Sequence, residues 1–255
     1  MQEEIRRKLR DIEQQQDVRI IYAVESGSRA WGFASPDSDW DVCYIYVRRP
    51  EEYLRVDSIR DTIEGPLDDV LDFSGWDVKK ALKLVRRTNP SLMEWSASPI
   101  VYRETPAWGL VREAIPDYFS ARSVICHYDS MATGNWHRHM EGEQVRLKKY
   151  LYVLRPILCA RWVEERGTVP PALFGELYAT VLPEAMRSTV DALLRRKKAA
   201  DESGLTAHIP ALDDFLLGEM ARIRESIDKM DQTELPDWES INRLFRQVIR
   251  RAWED

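Results

Sequence analysis

The chain of 255 residues is 44% hydrophobic and 31% charged, which is typical of a folded globular protein and excludes extensive disorder. Its formal net charge of −6 argues against a protein that coats nucleic acid nonspecifically, although this net charge does not exclude a local basic groove. No apolar run approaches the roughly 20 residues of a membrane-spanning helix, and the first residues lack a hydrophobic signal core. We therefore expect a cytoplasmic protein with no membrane partner.

The first elements in chain order predict a mixed α and β region. Ile5, Leu9 and Ile12 recur at helical spacing and indicate a helix over about residues 3–15. Asp77 is a typical N-cap and predicts a helix that begins after it. Asn89-Pro90 is expected to end that helix, and a second short helix is predicted to start at Ser91. Four apolar runs rich in β-forming residues are predicted strands, at 18–24, 40–48, 59–64 and 69–73, with a turn at Gly65-Pro66 between the last two.

Beyond about residue 107 the hydrophobic pattern becomes helical. A stripe of leucines runs through residues 136–165, where Pro156 is expected to kink or restart the helix. Helical spacing returns over 212–230 and 238–249. We predict an α+β fold with a mixed sheet and flanking helices in a domain over 1–107, followed by an all-helical domain over 108–255.

A small-residue turn between the first two strands carries the strongest chemical signal. It runs from Gly27 to Gly32, and the run Ser38 to Val42 opens the next strand. Backbone N–H groups and hydroxyls of such a turn can bind phosphates. Asp39 and Asp41 stand two positions apart, so a strand would direct both to one face, where they can share a divalent metal. Asp72, inside an apolar strand-like run, offers a third carboxylate. An unpaired buried charge there would be costly, so either this face of the strand is solvated or the charge meets a cation.

These motifs resemble a known family. The pattern Gly-Ser-x-Ala-x-Gly, followed after five residues by Ser-Asp-x-Asp, resembles the minimal nucleotidyltransferases of the DNA polymerase β superfamily. Longer strings are similar to the predicted nucleotidyltransferases found beside RNA ligases, over 72–82, 89–95, 98–102 and 148–156. The family usually carries arginine where this chain has Trp31, which leaves the role of that arginine unfilled unless Arg29 substitutes for it.

The resemblance implies a nucleotidyltransferase fold, dependence on Mg²⁺ and a link to RNA repair. Three aspartates could hold two Mg²⁺ ions, or Mn²⁺ as an alternative, and transfer a nucleoside monophosphate from a triphosphate with release of pyrophosphate. The acceptor is a hydroxyl or phosphate group that the motif does not identify; RNA is a candidate, and no DNA-binding motif is evident. Expected catalytic and metal-binding residues are Asp39, Asp41 and Asp72; expected nucleotide-binding residues are Gly27, Ser28, Arg29, Ser38, Lys148, Lys149, Tyr152 and Arg155.

Alternatives remain open at the level of sequence. The chain could be a catalytically weak nucleotide-binding or antitoxin-like regulatory protein that keeps the same fold. A phosphohydrolase could use the same aspartates, with His127 and Asp129 available to activate water. Residues 126–139 also contain enough histidine, cysteine and aspartate for a zinc site, although the spacing equally suits a polar loop between helices over 129–136.

Overall fold

The structure is a computed structural model that describes residues 1–35, 38–65, 70–199, 205–232 and 234–254. It has a mixed α+β fold, as predicted, with a five-stranded sheet and a large helical region. Its elements in chain order are α1 (Gln2–Gln16), β1 (Val18–Glu25), α2 (Gly27–Ala30), β2 (Trp40–Arg48), a 3₁₀ turn (Pro50–Leu54), β3 (Thr62–Glu64), β4 (Leu71–Asp77), α3 (Val78–Arg86), α4 (Pro90–Ser96), β5 (Val101–Glu104), α5 (Pro106–Ala114), a 3₁₀ turn (Ile115–Tyr118), α6 (Ala121–His139), β6 (Gln144–Arg146), α7 (Leu147–Arg166), α8 (Phe174–Val181), α9 (Glu184–Ala199), β7 (Leu205–Ala207), α10 (Pro210–Lys229) and α11 (Trp238–Trp253).

The chain divides into two compact units. Unit 1 comprises Met1–Ala30, Asp39–Phe119 and Glu234–Asp255, and unit 2 comprises Trp31–Ser38 and Ser120–Thr233. Helix α11 therefore packs in unit 1, against α3 and α5, although the sequence pattern grouped it with the other C-terminal helices. An amphipathic stripe shows that one face of a helix is buried, but it does not show which element covers that face. Among the described helices, none combines the length and apolar character needed to cross a lipid bilayer.

The sheet of unit 1 has the strand order β3-β4-β2-β1-β5. Strands β2 and β4 pair in parallel, and the other neighbours pair antiparallel. The predicted helix is confirmed as α1, whose apolar stripe covers one face of the sheet and forms a single core with Val42, Tyr44 and Phe73. Because side chains alternate along a strand, Asp41 and Cys43 project to the other face of the sheet.

The predicted cap of the helix after Asp77 is confirmed, because the carboxylate of Asp77 accepts a hydrogen bond from the N–H of Lys79 at 2.7 Å. The short helix predicted from Ser91 begins one residue earlier, at Pro90, and the side chain of Asn89 caps it by accepting a hydrogen bond from the N–H of Leu92 at 3.3 Å. The two short strands differ in length from the prediction: β3 begins only at Thr62, and β4 continues to the cap of α3 because its pairing with β2 extends that far. The predicted turn at Pro66 and the strand start at residue 69 lie outside the described residues.

Unit 2 corrects two expectations. Residues 129–136 lie within α6, so the polar loop predicted there is wrong; Val124, Tyr128 and Ala132 are buried at helical spacing along it. Helix α7 continues through Pro156, so the alternative of a restart there is wrong, whereas the alternative of a kink stays a prediction. The helical region also contains one antiparallel strand pair, β6 with β7, which the pattern did not predict because three-residue strands are too short to show a period.

The imidazole of His208 makes two hydrogen bonds within unit 2, and these bonds predict how the stability of the protein depends on pH. Its Nδ1 lies 2.7 Å from Oδ2 of Asp213 and its Nε2 lies 2.7 Å from the carbonyl oxygen of Gly142. The bond to Gly142 first, and then the bond to Asp213, raises the pKa of His208 above its usual 6.5. A raised pKa in the folded state contributes stability that is complete below the unfolded pKa and disappears as pH rises through the folded value.

We therefore expect the free energy of unfolding to decrease as pH rises above about 6.5, and the decrease to be smaller in His208→Gln. Urea unfolding at several pH values measures this slope. The comparison variant is His139→Gln: burial lowers the pKa of His139, so its contribution to stability has the opposite sign and its replacement should not make the decrease smaller. Equal slopes for wild type and His208→Gln would contradict the prediction.

Candidate active site

The turn after β1 packs directly against a carboxylate of β2. The N–H of Ser26 donates to the carbonyl oxygen of Asp41 at 2.8 Å, and Gly27 follows with a φ of 60°. A Cβ added to Gly27 would overlap Oδ2 of Asp41 and would approach its Cγ to 3.0 Å. Only glycine therefore tolerates both the left-handed backbone and the closeness of this carboxylate.

The parallel strand pair brings two of the predicted aspartates together. Asp41 and Asp72 are direct register partners on β2 and β4, so their side chains leave the same face of neighbouring strands about 4.8 Å apart. Asp72 is exposed and Asp41 is partly buried, while Asp39 is exposed just before β2 begins. Among the described residues, no three histidine, cysteine, aspartate or glutamate side chains form a preassembled metal cluster. The carboxylate oxygens of these aspartates suit Mg²⁺ chemically.

Arg29 places a positive charge beside these carboxylates. Its Nε donates to the carbonyl oxygen of Asp39 at 3.0 Å, and its guanidinium lies 4.0 Å from the centre of the Trp40 ring. The neighbouring Ser28 is buried on α2. The turn thus combines backbone N–H groups with a cation that is held by protein contacts, as an anion-binding segment requires.

Sequence reasoning missed Glu25, the last residue of β1. Its side chain is fully buried; Oε1 accepts the N–H of Asp41 at 3.0 Å, and Oε2 accepts the hydroxyl of Tyr102. Burial raises the pKa of Glu25, and these two hydrogen bonds oppose the shift. The only sequence signal was a charged residue closing an apolar strand. Glu25 therefore fixes the backbone of Asp41 near the start of β2.

We expect Glu25→Gln to keep this geometry, because its amide can accept from Asp41 N–H and donate to Tyr102. A carboxyl group with a raised pKa stabilises the fold fully below its unfolded pKa, near 4.5, and loses that contribution as pH rises through the folded value. The stability of Glu25→Gln relative to wild type should therefore increase as pH rises above about 4.5. Urea unfolding across this range measures the difference, and a difference that is constant with pH would contradict the prediction.

Several of the predicted nucleotide-binding residues lie in unit 2. Arg155 on α7 is 1% exposed; its guanidinium lies 4.4 Å from the Trp31 ring and Nη2 donates to Ala172 O at 3.3 Å. The Trp31 ring meets Tyr152 edge to face at 5.6 Å, and the Lys149 ammonium lies 4.9 Å from the Tyr152 ring. The tryptophan that replaces the usual arginine is therefore the stacking partner of a buried arginine.

The other predicted residues of unit 2 lie on several elements. Ser38 is buried, and its Oγ accepts the N–H of Ser35 at 3.0 Å. Lys148 is partly buried on α7. On α6, Asp129 pairs with Arg224 at 3.4 Å and His137 with Glu141 at 2.6 Å. The nucleotide-binding and water-activating roles considered for these residues stay predictions. The zinc site considered over residues 126–139 is not assembled, since no three candidate ligands come together in the described part of the chain.

A glycine turn packed on an aspartate, with a second aspartate opposite it on a parallel strand of a mixed sheet, defines a protein of the nucleotidyltransferase superfamily. The chain belongs to the RlaP family, described as the RNA repair pathway DNA polymerase beta family, whose model matches residues 1–247. The resemblance inferred from the sequence is therefore confirmed.

Two comparisons with individual proteins accompany this assignment. The chain is 40% identical to the uncharacterized protein YcgL of Bacillus subtilis (strain 168), over 100% of this chain and 99% of that protein. A crystal structure of a nucleotidyltransferase-like protein from Exiguobacterium sibiricum aligns over 98% of this chain and 90% of its own, with 10% identity and a TM-score of 0.32. A similarity that low supports no argument about this chain.

Proposed function

We propose that this protein transfers a nucleoside monophosphate from a nucleoside triphosphate to a hydroxyl or phosphate acceptor and releases pyrophosphate. The acceptor oxygen forms a bond to the α-phosphorus, and the bond from that phosphorus to the bridging oxygen of pyrophosphate breaks. An acceptor hydroxyl loses its proton in this step. RNA is the acceptor class that the description of the family favours.

One observation carries this proposal. Asp41 and Asp72 are register partners on parallel strands, and the glycine turn after β1 packs against the first of them. Within a family related to DNA polymerase β, such an arrangement suits a site that holds phosphates beside carboxylates. A purely structural role does not explain why Asp41 and Asp72 lie opposite each other, because two like charges on adjacent strands repel and destabilise the sheet.

We assign the following roles to the residues of unit 1. Asp39, Asp41 and Asp72 would hold divalent metal, which when bound neutralises phosphate charge and lowers the pKa of the attacking hydroxyl. Asp72 is the exposed member of the Asp41–Asp72 pair, so it is available to accept the proton of the acceptor. The backbone of Gly27 and Ser28 would bind the β- and γ-phosphates, and Arg29 would supply the cation that the family places at position 31.

For unit 2 we propose contacts with the nucleotide from Lys148, Lys149 and Tyr152, through charge and stacking, with Ser38 as a further hydroxyl. Arg155 requires a different assignment from direct phosphate binding, because its guanidinium is buried on the Trp31 ring. Its proposed role is to hold Trp31 and Tyr152 in place, so its effect on nucleotide affinity would be indirect.

Labelled nucleoside triphosphates test the proposal. The protein is incubated with each α-³²P-labelled triphosphate, Mg²⁺ or Mn²⁺, and a pool of RNA, and products are separated from pyrophosphate. The expected result is metal-dependent label in RNA for one or more of the triphosphates. Nucleotide binding without transfer to RNA, to the protein itself or to small acceptors would overturn the proposal and favour a regulatory protein that keeps the fold.

A further inference from the structure

Two neighbouring pockets of unit 1 share the side chains of Lys79 and Lys83 on α3. The first is an apolar cavity of about 310 Å³ between α3 and α11, lined by Leu82, Ile241 and Phe245. The second is a polar cavity of about 360 Å³ that continues past the same lysines toward the ends of β2 and β4. The two lysines thus stand between an apolar compartment and a charged one.

Trp238 gives the apolar pocket a fixed aromatic wall. Its side chain is 48% exposed although it is one of the largest apolar groups of α11. The guanidinium of Arg86 lies 4.0 Å from the indole, and Arg86 is itself held because its Nε donates to the carbonyl oxygen of Pro236 at 2.7 Å. A half-exposed indole in a fixed orientation is a suitable surface for stacking a nucleic-acid base.

The charges around the lysines favour an anionic ligand. Within the described part of the chain, neither Lys79 nor Lys83 has an ion-pair partner, and both are exposed. The carboxylates that line the polar pocket are already paired with other cations, in three groups: Glu52 and Asp57 with Arg55 at 3.0 and 2.7 Å, Asp61 with Lys80 at 3.7 Å, and Asp77 with Arg48 at 3.7 Å. The positive charge of Lys79 and Lys83 is therefore available to a ligand.

We propose that this pair of pockets binds single-stranded RNA, with a base stacked on Trp238 in the apolar pocket and adjacent phosphates on Lys79 and Lys83. An apolar ligand alone would not use the two lysines, and an anion alone would not use the indole, whereas a nucleotide uses both. The site is built from α3 and α11 and uses none of the residues assigned to transfer. It would hold an RNA partner independently of the transfer reaction.

Fluorescence anisotropy with a labelled, unstructured oligoribonucleotide of about 12 nucleotides tests the proposal, without triphosphate or divalent metal. We expect Trp238→Ala to weaken binding about tenfold and Trp238→Phe to restore most of the affinity, because stacking survives in phenylalanine. Lys79→Gln and Lys83→Gln should each reduce the slope of log affinity against log salt by about 0.7, the value for one lost phosphate contact on a single strand.

The matched control is Lys229→Gln, an equal change of charge at an exposed position at the end of α10. It should leave the affinity and the salt slope unchanged. The proposal is overturned if wild type does not bind the oligonucleotide, or if the α3 variants behave like this control. Because no triphosphate is present, RNA binding that depends on these residues without any transfer activity would overturn the proposed function alone.

Discussion

We expect Asp41→Asn to transfer nucleoside monophosphate at least about 10³-fold more slowly than wild type, because a proposed metal ligand worth several kcal/mol is lost. The fold should survive. Asp41 lies near two other acidic groups, Glu25 and Asp72, so removing its charge relieves repulsion. The measurement is the initial rate of label transfer at saturating triphosphate and metal, together with the urea midpoint.

Asp11→Asn is the control for this variant, because Asp11 is an exposed carboxylate of α1 on the same unit. It changes the net charge equally and should keep the wild-type rate. Asp72→Asn should match Asp41→Asn in its loss of rate if the two carboxylates act together. A rate near wild type in Asp41→Asn would show that the aspartate pair is not the reaction centre.

The second large effect is expected from Gly27→Ala. A left-handed backbone at an alanine costs about 1–2 kcal/mol, and the added Cβ overlaps the carboxylate of Asp41. Asp41 must move away, and we expect at least a 100-fold loss of transfer, since a displacement of about 1 Å at a reacting site has this effect. Transfer rate and urea unfolding, measured on the same preparation, separate the loss of activity from the smaller loss of stability.

Gly109→Ala provides the matched comparison. Gly109 lies in α5 of the same unit, and a Cβ there would meet no atom within 4 Å. Alanine should therefore stabilise that helix by about 0.5–1 kcal/mol and leave transfer unchanged. If Gly27→Ala keeps full activity, Asp41 does not need the position in which the turn holds it.

The predictions that proved right depended on local signals. The helix that contains Ile5, Leu9 and Ile12 follows from spacing within one element, and the cap at Asp77 follows from side-chain chemistry within two residues. Such contacts are close in sequence, so the pattern contains all the information that decides them.

The loop predicted over residues 129–136 failed for the opposite reason. Gly134 and Asn135 are poor helix formers, yet α6 continues through them. Burial of Tyr128 and Ala132 stabilises this part of the helix, and the side-chain amide of Asn135 donates to the carbonyl oxygen of Tyr152 on α7 at 3.1 Å. Packing against other elements outweighed local propensity, and a single sequence does not display those elements.

The amino-acid sequence by itself determined the α+β class, the family, and the turn from Gly27 that precedes Asp39 and Asp41. Tertiary structure alone decided that β4 pairs in parallel with β2 so that Asp72 lies opposite Asp41, and that Glu25 reaches the backbone of this aspartate. The periodicity of side chains along one strand is a local property of the chain. The choice of a partner strand and its register depends on contacts between distant residues, which only the folded chain brings together.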